Sequence, residues 1–207
     1  MKFLIGIDEA GRGPLAGPVS VGAVIVHKNF EWKLLEGVRD SKQLTPLARE
    51  EWYEKLSGFK KAGMLDFAVS FSSAAVIDQK GIVFAVQSAL VRCLTKITKV
   101  RPLYTEVGPL YEVLLDGGLH APSEFTWQRT IIRGDQSEPL ISLASIAAKV
   151  MRDRLMTRLA PKYPAYDFEV HKGYGTALHR RAIAERGLSD IHRASFCTRL
   201  RIGAKSV

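Results

Sequence analysis

Four carboxylates stand where strands or turns end, among apolar residues and glycine. Asp8 and Glu9 follow Phe3-Leu4-Ile5-Gly6-Ile7, Asp116 follows Tyr111 to Leu115, and Asp135 follows Gly134 ahead of an apolar helix. Taken singly, each is more often a solvated strand-end acid or a helix cap. Taken together they are costly without a cation, because an unpaired carboxylate in apolar surroundings loses its hydration. An all-oxygen set without a Cys/His cluster favours Mg²⁺ or Mn²⁺ over zinc, and Mg²⁺ usually shares its shell with waters and a substrate phosphate. Two such ions about 3.5–4 Å apart activate a water and stabilise a leaving oxygen, so the chemistry indicated is phosphodiester hydrolysis. Alternation along a strand sends Asp8 and Glu9 to opposite faces unless the strand ends there, and Gly11 offers the turn.

The charge distribution supplies a matching partner. Lys and Arg number 30 against 21 Asp and Glu, a net +9, and the stretch from Lys149 to Val207 holds 13 basic and 5 acidic residues. Nearly all of the excess is therefore C-terminal. A basic run is often only a solvated face, but beside acids able to hold a metal it makes nucleic acid the first partner to test. The alternative is a nucleic-acid-binding protein without catalysis, whose acids serve folding alone.

Gly11-Arg12-Gly13-Pro14-Leu15-Ala16-Gly17-Pro18 follows the first strand. A dinucleotide fingerprint would open a helix here, whereas Pro14, Gly17 and Pro18 disfavour one and lead into another strand. The loop reads instead as exposed backbone able to approach a ligand closely, with a plain tight turn as the bland alternative.

The elements that position these groups follow from periodicity. Phe3 to Ile7 and Val19 to His27 read as strands joined in a hairpin, and Leu65 to Phe71 as a third, with Leu65, Phe67, Val69 and Phe71 on one face. Thr45-Pro46 starts a helix running to about Leu56. Val83, Val86, Leu90, Leu94 and Ile97 mark a second helix that ends before Pro102, and Tyr111 to Leu115 a further strand. Leu140, Ala144, Ala147, Met151 and Leu155 mark another long helix, with Ser137 and Pro139 as start signals. Pro161 to Gly175 is helix-poor and aromatic. The expected class is α/β, a mixed sheet packed by helices with a basic helical tail.

With 207 residues, 46% of them apolar, the chain fits one globular domain, with room for a small appendage. Uncharged stretches from Gly13 to His27 and Pro139 to Ala148 fall short of a membrane span, and no transmembrane helix is expected. Only five uncharged residues separate Lys2 from Asp8, too few for a secretory signal, so the expected compartment is the cytoplasm. Cys93 and Cys197 read as two reduced thiols.

The run Gly6-Ile7-Asp8-Glu9-Ala10-Gly11-Arg12-Gly13-Pro14-Leu15-Ala16-Gly17-Pro18-Val19 resembles the opening signature of the ribonuclease HII family. Asp40-Ser41-Lys42, Asp116-Gly117, Gly134-Asp135, Ala144 to Val150 with Arg152-Asp153, and His171-Lys172-Gly173-Tyr174-Gly175-Thr176 recur in the family's order, so the resemblance spans about residues 3–196. It implies a ribonuclease H-like catalytic domain over residues 1–160 and a basic C-terminal helical extension over 161–207 that contributes to substrate binding. It implies two Mg²⁺ or Mn²⁺ ions on Asp8, Glu9, Asp116 and Asp135. The implied substrates are ribonucleotide-containing DNA duplexes and RNA–DNA hybrids, cut on the 5′ side of the ribonucleotide. Gly11, Arg12 and Gly13 would meet the 2′-hydroxyl, and Tyr174 would stack on the next deoxyribose. Lys42, Ser145, Lys149 and Lys172 complete the implied substrate contacts, with Arg152 a phosphate contact or an organiser of the site. Arg12 stands where the related ribonuclease HIII class has Lys. Gly118 replaces a common Asn, and Arg101 to Glu112 and Ala121 to Arg133 fit the pattern poorly. A hybrid nuclease lacking junction preference is the second enzymatic reading. A monomer is expected, and Leu200 to Val207 shows no evident clamp-binding motif.

Overall fold

Ile5 and Ile7 face one side of the first strand and Leu4 the other, so both faces of the sheet must be covered. The computed structural model describes residues 2–38, 44–99, 103–105 and 108–200. Strand β1 (Phe3–Ala10) pairs antiparallel with β2 (Val19–His27), from Phe3↔His27 to Ala10↔Ser20, as the hairpin reading requires. β2 pairs antiparallel with β3 (Leu65–Ser72). A two-stranded ribbon, β4 (Tyr104–Thr105) and β5 (Gly108–Pro109), precedes β6 (Tyr111–Asp116), which lies parallel to β1. β7 (Gln128–Ile131) lies parallel to β6, giving a sheet of order β3-β2-β1-β6-β7. Sequence reasoning missed β7, since an edge strand with two exposed residues out of four carries no alternating signal.

Helix α1 (Pro46–Lys61) is capped by Thr45, whose Oγ1 accepts from the Ala48 amide at 3.2 Å, and it outlasts the expected end by more than a turn. Helix α2 (Ala74–Thr98) begins well before Val83 because Ser73 caps it, and Gly81, at φ 83°, ψ 160°, breaks its early part. By length and composition α2 could cross a membrane, which the sequence reading did not anticipate. Its inward face of Ala85, Val86, Ala89, Leu90, Cys93, Leu94 and Ile97 is instead the core covering one side of the sheet.

After the single-turn α3 (Gly134–Ser137), helix α4 (Pro139–Leu159) covers the other side together with α1. Every residue from Leu140 to Ala148 is buried, so this half is enclosed all round. It lies directly on the strands. A Cβ at Gly6 would stand 2.4 Å from the Leu140 carbonyl carbon, and one at Gly22 would stand 2.2 Å from the Ala144 oxygen.

The C-terminal segment contains α5 (Phe168–His171), α6 (Ala177–Arg186) and α7 (Ala194–Cys197). Phe168, Ile183 and Cys197 form a third apolar cluster with Ala16 and Met156, so the segment packs on the glycine loop and on the end of α4. Asp78 of α2 ties down α7 by accepting from the Ala194 and Ser195 amides at 2.8 and 3.0 Å.

The close approach of α4 predicts the cost of adding a methyl group. Gly22→Ala should lose about 1–3 kcal/mol in urea unfolding by overpacking. Gly58→Ala in α1, where nothing lies within 4 Å of the new Cβ, should be neutral or gain up to about 1 kcal/mol.

Candidate metal and nucleic-acid site

Parallel pairing puts two of the acids side by side. Ile7 of β1 is in register with Leu115 of β6, so Asp8 and Asp116, the next residue on each strand, share one sheet end and the face under α4. β7 ends beside Asp116, with Ile131 its partner. The chain then turns through Arg133, at φ 56°, into α3 and delivers Asp135, whose amide donates to Asp116 Oδ1 at 3.2 Å. Ser142 Oγ of α4 donates to the Asp135 carbonyl at 2.6 Å.

Carboxylate oxygens of Asp8, Asp116 and Asp135 all lie within 4.8 Å of one another. Asp8 is 2% exposed, and its Oδ1 accepts from the Glu9 amide at 2.7 Å. Its Oδ2 is buried with no hydrogen-bond partner among the described residues. Burial holds the Asp8 carboxyl well above the usual range, reinforced by the charges of Glu9 and Asp116 and opposed by a hydrogen bond with Ser145. Clustered hard oxygens, one without a partner, fit a divalent cation of the Mg²⁺ or Mn²⁺ type. Glu9 stands outside the group of three, and its Oε1 accepts from Arg12 Nη1 at 3.2 Å. Strand alternation accounts for the separation.

The glycine loop is held from beneath by two arginines, each fully buried. Arg152 of α4 donates from Nε to Pro18 O at 2.8 Å, from Nη2 to Ala16 O at 3.1 Å and from Nη1 to Lys172 O at 3.0 Å. Arg193 donates from Nε to Gly17 O at 3.0 Å, from Nη1 to Arg12 O at 2.8 Å and from Nη2 to Gly11 O at 2.7 Å. Arg152 is thus an organiser and has no surface to offer a phosphate. Sequence reasoning missed Arg193, because nothing in a basic tail marks the one arginine that folds inward.

The amides of Leu15 and Ala16 donate to Gly173 O at 2.8 and 3.3 Å, which brings Tyr174 beside the loop. Tyr174 is 39% exposed, with Lys149 Nζ 5.2 Å and the Arg152 guanidinium 5.6 Å from its ring. Lys149 also donates to Asp153 Oδ1 at 2.8 Å, and Lys172 Nζ donates to the Glu169 carbonyl. Lys42 lies outside the described residues.

Under Tyr174 lie three buried histidines that sequence reasoning did not single out. His192 Nδ1 accepts from the Ser189 amide at 2.9 Å, so a neutral ring carries its proton on Nε2, which faces His179 Nε2 at 3.0 Å. His179 then carries its proton on Nδ1, 2.9 Å from the Tyr174 carbonyl. Burial pushes both His179 and His192 down to about 4. Neutral rings therefore fit every partner.

The sequence model of the ribonuclease HII family matches residues 5–199. Ribonuclease HII of Caldicellulosiruptor bescii is 40% identical over 195 residues, covering 94% of this chain and 86% of that protein. Among solved structures, the fold resembles that of the PCNA:RNase HII complex from Archaeoglobus fulgidus, with TM-score 0.71 and 23% identity over 99% of this chain and 98% of that one. It also resembles Bst-RNase HIII in complex with Mn²⁺, with TM-score 0.67 and 20% identity over 97% of this chain and 66% of that one. The mixed sheet flanked by helices is thus a ribonuclease H-like fold.

The histidines give a pH signature. Both remain neutral in the fold down to about pH 4, while in the unfolded chain they take up protons near 6.5. Their contribution is therefore complete above pH 6.5 and declines as pH falls toward 4. Thermal midpoints should drop between pH 6.5 and 5, and the drop should be shallower in His192→Gln, which removes one titrating ring.

Proposed function

The chain belongs to the ribonuclease HII family, and from that premise we propose that it nicks DNA duplexes on the 5′ side of embedded ribonucleotides. RNA in RNA–DNA hybrids is its second substrate, and both cuts leave 3′-hydroxyl and 5′-phosphate ends. That it is a metal-dependent ribonuclease follows from the family. The carrying observation for the finer reading is a three-aspartate group, with Asp8 and Asp135 buried, Asp116 half-buried and one Asp8 oxygen without a partner among the described residues, on the strand that leads into an exposed Arg12–Gly13 tip.

Asp8, Asp116 and Asp135 are the residues that would hold Mg²⁺ or Mn²⁺, with Glu9 as a fourth acid that must exchange its contact with Arg12 to join them. When bound, two such ions supply an activated water and neutralise the charge on the leaving oxygen. Ser145 orients the Asp8 carboxyl. Gly11, Arg12 and Gly13 test for the 2′-hydroxyl, which is both donor and acceptor and marks RNA against DNA. Tyr174 packs against the deoxyribose that follows, and Lys42, Lys149 and Lys172 take flanking phosphates. Residues 1–160 form the catalytic domain on this reading, and 161–207 the extension that brings Tyr174 to the substrate. Bst-RNase HIII, solved with Mn²⁺, supports the choice of ion. The Archaeoglobus fulgidus protein was solved with PCNA, whereas Leu200 to Val207 here shows no clamp-binding pattern, and residues 201–207 lie outside the described part. We take the enzyme to act as a monomer, in the cytoplasm.

A labelled duplex with one ribonucleotide, run against an all-DNA control in Mg²⁺, Mn²⁺ or chelator, tests the reaction. One metal-dependent nick 5′ of the ribonucleotide is expected, and binding without cleavage under either metal would overturn it. Asp8→Asn should slow the nick on the order of a thousandfold or more with duplex affinity unchanged. Tyr174→Ala should slow cleavage at a single ribonucleotide more than cleavage of a continuous hybrid. Equal losses would identify a nuclease without junction preference.

A further inference from the structure

A loop of glycines and prolines has peptide carbonyls that no strand ladder satisfies, and the direction in which they are satisfied fixes where its amides point. Arg193 takes the Gly11 and Arg12 carbonyls at 2.7 and 2.8 Å. In a trans peptide the N–H points opposite to the C=O, and the described residues contain no cis bond. The Arg12 amide shares its peptide plane with the Gly11 carbonyl, and the Gly13 amide shares one with the Arg12 carbonyl. Both amides therefore point away from Arg193.

Three observations agree. Arg12 and Gly13 are exposed while Gly11 and Pro14 on either side are buried. Neither amide has an acceptor among the described residues, whereas those of Leu15, Ala16 and Gly17 are used by Gly173 and Ile191. Gly11, at φ +86°, leaves no room for a side chain, since a Cβ there would stand 2.1 Å from Arg152 Nε. Successive amides aimed to one side form a concavity that binds an electron-rich oxygen.

We propose that Arg193 is a positioning residue for ribonucleotide recognition: anchored on Gly11, Arg12 and Gly17, it aims the Arg12 and Gly13 amides at the oxygen of the 2′-hydroxyl. This rests on the reading that the glycine loop meets the ribonucleotide. The role needs a planar fork that reaches three carbonyls at once, which lysine cannot reproduce with the same charge. Burial and the neighbouring Arg152 charge lower Arg193 to about 9, so it remains a cation at neutral pH.

The test is fluorescence anisotropy in chelator, comparing a duplex holding one ribonucleotide with the same duplex made wholly of DNA. In wild type the ribonucleotide duplex binds tighter. In Arg193→Lys the preference falls by roughly tenfold, the weight of a hydrogen bond or two, while all-DNA affinity is unchanged. Millimolar guanidinium restores the preference in Arg193→Gly and leaves that of wild type unchanged. A folded Arg193→Lys with its preference intact would overturn the proposal. Should the variants not fold, amide resonances of wild-type Arg12 and Gly13 decide: they shift with the ribonucleotide duplex alone, and equal shifts with both duplexes refute it. Wild type without any preference would overturn the loop reading itself, a result that involves no variant and so is told apart from failure of Arg193.

Discussion

The site depends on a helix backbone lying in contact with a sheet. Glycine at positions 6 and 22 lets α4 sit on β1 and β2 at a distance no side chain would permit. From that contact Ser145 reaches Asp8, and Ser20 Oγ lies 3.1 Å from Ala10 O and 3.0 Å from Ala148 O, so that its one proton is shared between the end of β1 and the helix. Ile141 crowds Gly134, where a Cβ would lie 2.6 Å from Ile141 Cδ1, so the turn carrying Asp135 is pressed against the same helix. About three turns beyond Ile141, Arg152 enters the glycine loop. One packed surface thus fixes the acids, the loop and the distance between them. Close-packed interiors transmit small displacements, so a helix lifted by a single methyl disturbs all three together.

How much of this was legible in the sequence follows from which interactions are local. β1, β2, β3 and β6 show themselves because two-residue alternation or a continuous apolar run is imposed by the sheet itself. Asp8 and Asp116 stand out because each ends such a run, and parallel pairing then makes them neighbours. The four acids could be named as a set, but their grouping could not be read: alternation along β1 puts Glu9 on Arg12 and leaves three together. β7 escaped notice because an edge strand needs no buried face. Arg193 escaped because its partners Gly11 and Arg12 lie at the other end of the chain, and the histidines because their contacts, at separations of 5 and 13 residues, follow neither a helix nor a strand period. Such pairings leave no periodic trace.

The C-terminal charge has two functions that composition merges. Arg152 and Arg193 belong to the basic stretch, yet both are wholly buried, and their donors are spent on backbone carbonyls. Two like charges in one interior are tolerated because six carbonyl dipoles face them, as a buried cation demands. The field available to phosphates is therefore carried by exposed neighbours, and the concentration of positive charge overstates the number of direct contacts. The arrangement is also complementary to the acids. On one side of the loop carboxylates require a cation, and on the other guanidinium groups hold carbonyls.

The residues Ile191-His192-Arg193 join the two halves of the surface. Ile191 O takes the Gly17 amide and Arg193 takes the carbonyls of the loop, while His192 passes its hydrogen bond through His179 to the carbonyl of Tyr174. Opposed Nε2 atoms at 3.0 Å can share only one proton, so a second would set two N–H groups against each other and break the support of Tyr174. Fixed tautomers are therefore a condition for holding an exposed aromatic ring at a set height beside the loop. A short C-terminal segment with no carboxylate of its own in the site thus joins Gly173 and Arg152 in setting the spacing between loop and ring. On the function proposed above, the ribose meets the loop and the following deoxyribose meets the ring, so that spacing is what would set the two sugars apart.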